Sequence, residues 1–141
     1  MMRSDTSPTL KSAPPSGLRV LICEDDPLTA LDFADILRSA GWQVVGPTHT
    51  AVEALAESYR HLPDLALIDI GLKGLIDGIS VAAELAPLGV PVIFLTGDYQ
   101  RAGSEGRELA TDILIKPVSE KAILRAVAAA LQLDQGQGDQ G

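Results

Sequence analysis

Runs of aliphatic residues, each followed by a stretch with helical spacing, constrain the fold of this chain more than any other feature. Arg19–Cys23, Val44–Val45, Leu65–Ile68, Val92–Leu95 and Ile113–Ile115 are apolar almost throughout instead of alternating with polar residues. Strands of that kind are covered on both faces, which is the pattern of a parallel sheet between helices. Parallel neighbours need crossover connections of one hand, so five successive βα units imply a doubly wound α/β sandwich.

The intervening segments carry helix signals. Asp26 is placed to cap a helix that begins at Pro27, where proline's fixed φ and missing N–H do no harm. Ala30, Phe33, Ile36, Leu37 and Ala40 recur at helical spacing, with Asp32, Asp35 and Arg38 opposite, and Gly41 ends the run. Gly46-Pro47 closes the second strand. Thr50 with Glu53 three residues on is a capping-box pair for a helix reaching about His61. A glycine-rich loop, GLKGLIDG, leads from the third strand to a helix near Ile79–Leu85. The last helix starts near Ser119, with Ile123, Leu124, Val127 and Leu131 on one face. The segment after Thr96 should hold the remaining helix. Gly103 and Gly106 within it each cost about 1 kcal/mol relative to alanine, so a short or frayed helix is expected there.

The 141 residues suit one domain, expected over residues 18–132. Residues 1–17, rich in serine and proline, are expected to be a disordered leader, and residues 133–141 a polar tail. The formal net charge of −8 repels phosphate backbones and anionic lipid, which argues against nucleic acid or a membrane surface as partner. The single cysteine, Cys23, lies in an apolar run and reads as a small buried hydrophobe. No apolar stretch approaches the roughly 20 residues needed to span a bilayer, and the N-terminus lacks an apolar signal core. A cytoplasmic location is the expectation.

In a doubly wound sheet the functional crevice lies beyond the carboxyl ends of the strands. Those ends read Glu24-Asp25-Asp26, Asp69, Thr96-Gly97 and Lys116-Pro117. Carboxylates brought together raise each other's pKa unless a cation joins them. A hard divalent ion suits oxygen ligands, and Mg²⁺ takes one or two carboxylates while keeping water. Asp69 is then placed to act as a carboxylate nucleophile toward a phosphoryl group, with Lys116 and the Thr96 hydroxyl neutralising charge on the phosphoryl oxygens.

Four stretches, VLICEDDP, LALID, FLTG and ILIKP, resemble in order the signatures of CheY-like response-regulator receiver domains, over residues 18–131. The resemblance implies strand order 2-1-3-4-5 in a three-layer sandwich. It implies that Asp25 ligates Mg²⁺ directly and Glu24 mainly through water. Asp69 would be phosphoacceptor and ligand, and the carbonyl of Gly71 a further ligand. Thr96 would be the switch hydroxyl, Gly97 a backbone contact to the phosphoryl group, and Lys116 the lysine before a cis-prone Pro117. Asp26 is left to capping. The implied function is a stand-alone phosphorelay module. It would take a phosphoryl group from a histidine kinase or a histidine phosphotransfer protein, then signal to a downstream protein or pass the group on. It would be a signalling domain and not an enzyme, with slow self-phosphotransfer and autodephosphorylation at most, either monomeric or dimerising on phosphorylation.

The chain also departs from that pattern. Ile113 stands where receivers usually carry an aromatic switch residue. FLTGDY (Phe94 to Tyr99) is similar to a Phe-Ala-Thr-Gly-Gly-Tyr motif of alphaproteobacterial single-domain receivers, as is VVGP. Tyr99 then either replaces part of the aromatic's role or packs on a loop. Asp98, two residues beyond Thr96, is expected to alter the phosphoryl lifetime. Lys73 and Asp77 read as solvated or partner-contacting, and His49 and His61 as surface histidines. The helix after Thr96, the fifth strand and the last helix are the expected interaction surface. An aspartyl phosphohydrolase commonly has a second acid two residues after its nucleophile, and Gly71 stands there. A flavodoxin-like cofactor binder would need a phosphate-cradling glycine motif after the first strand, which is missing. A receiver-like scaffold without phosphate chemistry is disfavoured by the intact acidic pair, Asp69, Thr96 and Lys116.

Overall fold

In a computed structural model the described residues are 17–72, 76–97 and 106–140, with side chains described as far as Leu131. The strands are β1 (Arg19–Cys23), β2 (Gln43–Thr48), β3 (Leu65–Asp69), β4 (Val92–Thr96) and β5 (Asp112–Ile115). The helices are α1 (Pro27–Ser39), α2 (Ala51–Arg60), α3 (Gly78–Leu85) and α4 (Glu120–Gln140). All strand pairs are parallel, in the order β2-β1-β3-β4-β5. This is the doubly wound sheet that the aliphatic runs predict.

The sheet divides the core in two. Because side chains alternate along a strand, Leu21, Cys23, Ala66, Ile68, Val92 and Phe94 point to the face covered by α2 and α3. Val20, Ile22, Leu65, Leu67, Ile93 and Leu95 point to the face covered by α1 and α4. Each half is organised around one of the chain's two phenylalanines, Phe94 on the first face and Phe33 on the second. Alanines fill the remaining helix-sheet contacts, Ala51, Ala54 and Ala82 on one side and Ala34, Ala126 and Ala130 on the other. β3 and β4 are buried at every position, whereas the edge strand β5 is half-buried to exposed along its length.

The helix starts follow their sequence signals. The Asp26 side chain accepts from the Thr29 amide at 3.1 Å and also from the Thr29 hydroxyl, with Pro27 in the first turn. Thr50 Oγ1 accepts from the Glu53 amide at 3.1 Å, and Glu53 Oε1 accepts from the amide of His49 at 2.8 Å. Asp77, read from sequence as solvated or partner-contacting, is the cap of α3, accepting from the Ser80 amide at 3.0 Å.

The segment expected to hold the remaining helix is only partly described. Between β4 and β5 residues 98–105 lie outside the described residues, and so do Asp98 and Tyr99. The described remainder is a 3₁₀ turn, Arg107–Leu109, preceded by Gly106. A Cβ at Gly106 would lie 2.7 Å from the ring of Phe94, so this glycine is demanded by packing. The final helix continues through residues 133–140, where the composition suggests a polar tail. Lys73 also falls outside the described residues. No described helix is long and apolar enough to cross a membrane.

Candidate functional site

The carboxyl ends of β1, β3, β4 and β5 meet at one rim of the sheet, and the residues just past them are the polar ones. Glu24 is fully buried, Asp69 and Thr96 are almost so, and Asp25 is half-buried. Register accounts for the convergence. Cys23 pairs with Ile68, Asp69 with Leu95 and Thr96 with Ile115, so Glu24, Asp69, Thr96 and Lys116 all fall within a residue or so of one level. The Lys116 amide donates to the Thr96 carbonyl at 2.8 Å, which fixes the start of the lysine loop. The Lys116-Pro117 peptide is cis.

Lys116 sits between two carboxylates. Its Nζ lies 2.7 Å from Glu24 Oε1 and 3.2 Å from Asp69 Oδ2. The other oxygens face backbone donors. Asp69 Oδ1 accepts from the Gly71 amide at 2.9 Å, and Glu24 Oε2 accepts from the Asp26 amide at 3.0 Å. Glu24 Oε1, wholly buried, accepts no well-directed hydrogen bond, so its contact with Lys116 is ionic in character. Burial raises the Glu24 carboxyl above the ordinary carboxylate range and the nearby Asp69 charge adds to this, against the Lys116 ammonium and the Asp26 amide. For Lys116, burial lowers the pKa, but Glu24 and Asp69 outweigh it and hold the ammonium above its ordinary value.

One cation is thus shared by acids that could bind more. Oxygens of Glu24, Asp25 and Asp69 lie within 4.8 Å of one another, a spacing that fits a metal ion. Chemistry gives a second sign of fit: three carboxylates meet here with one lysine ammonium, at the buried Glu24 Oε1 and at Asp69 Oδ2, so a hard divalent cation with oxygen ligands would neutralise the charge that remains. Close approach of the backbone keeps the rim compact. A Cβ on Gly78 would lie 2.3 Å from the Asp69 carbonyl and 2.8 Å from Ile68, so only glycine lets α3 start against the end of β3.

The sequence profile of the response regulator receiver domain matches residues 20–128. The chain belongs to that family. Among relatives of this receiver domain, the transcriptional regulatory protein PdtaR of Mycobacterium tuberculosis is 34% identical over 129 residues, covering 89% of this chain and 62% of that protein. The phyllosphere-induced regulator PhyR of Methylorubrum extorquens is 32% identical over 120 residues, covering 82% of this chain and 44% of that protein. The receiver domain therefore spans less than two thirds of these curated relatives. The receiver domain of Erythrobacter litoralis PhyR, solved by NMR, matches with a TM-score of 0.75 at 31% identity, covering 82% of this chain and 91% of that one. A CheY-like receiver domain protein of Methanospirillum hungatei matches with a TM-score of 0.77 at 26% identity, over 85% of this chain and 98% of that one. A receiver domain is a signalling module of two-component systems and not a conventional enzyme.

The structure brings together Glu24, Asp25, Asp69, Gly71, Thr96 and Lys116. Gly97 follows at the same rim and is exposed. Ile113 does not reach the site: it pairs with Phe94 in the ladder, below the level of Thr96, and packs on the core face shared with α2 and α3. Asp26 caps α1 and takes no part in the carboxylate cluster. His49, expected at the surface, is half-buried, with Nδ1 3.0 Å from the backbone carbonyl of Glu24. Its position just after the second strand, which extends to Thr48, puts it at the same rim as the residues that end or follow β1, β3, β4 and β5. His61 is exposed.

Proposed function

We propose that this receiver takes a phosphoryl group from a phosphohistidine onto Asp69, with Mg²⁺ bound at the same rim. The observation that carries the reading is the shared position of Lys116, within ion-pair distance of both Glu24 and Asp69. A carboxylate oxygen of Asp69 attacks phosphorus, the new P–O bond replaces the P–N bond, and the donor imidazole leaves with that electron pair. Asp25, Asp69 and the carbonyl of Gly71 would hold Mg²⁺ directly, and Glu24 through water. The ion supplies charge neutralisation for the phosphoryl oxygens. Lys116 turns from the carboxylate to a phosphoryl oxygen, the Thr96 hydroxyl donates to another, and the backbone at Gly97 completes the contact. Thr96 and Ile113, with Tyr99, are assigned to the switch.

We place the functional unit at residues 18–132, in the cytoplasm, with a histidine kinase or histidine phosphotransfer protein as donor and a downstream protein as recipient of the signal. Likeness to two PhyR receivers supports a place near that group. The test is incubation with a small phosphodonor and Mg²⁺ followed by intact mass. The wild type gains one labile phosphoryl group, and Asp69→Ala gains none. Turnover of the donor without an adduct would identify a hydrolase instead.

A further inference from the structure

The β1–β2 ladder is irregular where it matters. Leu21 pairs with Val45, but Cys23, two residues on, pairs with Thr48, three residues on. The extra residue lies at Gly46-Pro47, and Gly46 has a φ of +99°, a value open to glycine and strained for other residues. The shift carries Thr48 and His49 to the level of the acidic pair. Thr48 then grips β1 at two points: its hydroxyl donates to the Ile22 carbonyl at 2.7 Å, and its carbonyl accepts from the Glu24 amide at 2.9 Å. His49 supplies a third contact, Nδ1 to the Glu24 carbonyl at 3.0 Å, while its own amide is held by Glu53 at 2.8 Å. A carbonyl oxygen can only accept, so Nδ1 must carry the proton.

We propose that His49 is a positioning residue for the metal-binding acids: through the Gly46-Pro47 bulge, its Nδ1–H holds the peptide between Glu24 and Asp25. That peptide sets where both carboxylates stand. Without the donor the carbonyl is free to turn, and the Asp25 side chain turns with it. The inference rests on the metal site proposed above, so the closing experiment reads the two separately.

Mg²⁺ binding to the full chain is measured by titration calorimetry for wild type, His49→Ala and His49→Asn. Asparagine places an amide N–H at the same branch point as Nδ1. His49→Ala should bind about tenfold more weakly, as loss of an outer-sphere partner commonly does, and His49→Asn should return close to the wild-type value. Nitrogen-15 shifts of the wild-type imidazole should show the Nδ1–H tautomer, a reading that needs no variant to fold. Unchanged binding in His49→Ala, no rescue by His49→Asn, or an Nε2–H tautomer would each overturn the proposal. Failure of the wild type to bind Mg²⁺ at all would instead remove the metal site itself.

Discussion

Glu24 and Lys116 show how much one contact can carry. The glutamate has no exposed surface, and its Oε1 relies on the lysine 2.7 Å away. Removing one member of such a pair strands a buried charge, whereas removing both is far milder. Lys116→Met is therefore expected to destabilise the metal-free protein by roughly 2–4 kcal/mol in urea unfolding with chelator present. Adding Glu24→Gln should recover most of that loss, and strictly additive effects in the double variant would contradict the coupling. Gly106 teaches a related lesson. Residue type alone marks it as a weak helix former, yet its lack of a side chain is what admits the ring of Phe94.

Helices α2 and α3 lie side by side on one face of the sheet, joined at the surface where the Tyr59 hydroxyl donates to Glu84 Oε1 at 3.2 Å. That hydrogen bond to Glu84 raises the Tyr59 phenol above its ordinary value, with slight help from burial. Folded-state raising of this kind contributes stability below the ordinary tyrosine pKa and loses it as pH rises through the raised value. An absorbance titration should place the Tyr59 step, identified by its loss in Tyr59→Phe, above about 10. Glu84→Gln should bring it back toward that figure; an unmoved step would show the bond absent in solution. Legibility also divides at this scale. The strands, the caps at Asp26 and Thr50, and the four rim segments were readable because each depends on residues adjacent in sequence. The glycine required at Gly78 and the grip of His49 on Glu24 were not, because each depends on a partner that only the folded chain brings near; the cap at Asp77 is as local as those at Asp26 and Thr50, its partner Ser80 lying three residues on. The bulge at Gly46-Pro47 announced a turn but not its register.

Across the whole molecule, Cys23 offers a probe of cooperativity. It lies in a central strand with no exposed surface, and burial pushes its thiol up to about 12. Its Sγ donates to the Thr50 carbonyl at 3.4 Å. Since its side chain lies beneath α2 and α3, Cys23 is uncovered only when that helix layer leaves the sheet or the whole domain opens. A maleimide at pH 8 should label the native protein orders of magnitude more slowly than the urea-unfolded chain. Equal rates would mean that the α2–α3 face opens locally. A different property follows from where the rim charges are mounted. Asp69 is attached to a strand locked in place on both sides and both faces, while Lys116 extends from the half-covered border of the sheet. Displacing the cation disturbs little packing; displacing the anion would disrupt the centre of the protein. In the proposed phosphotransfer, rearrangement around Asp69 would therefore meet least mechanical resistance toward β5, with the aspartate as the fixed post against which the border gives.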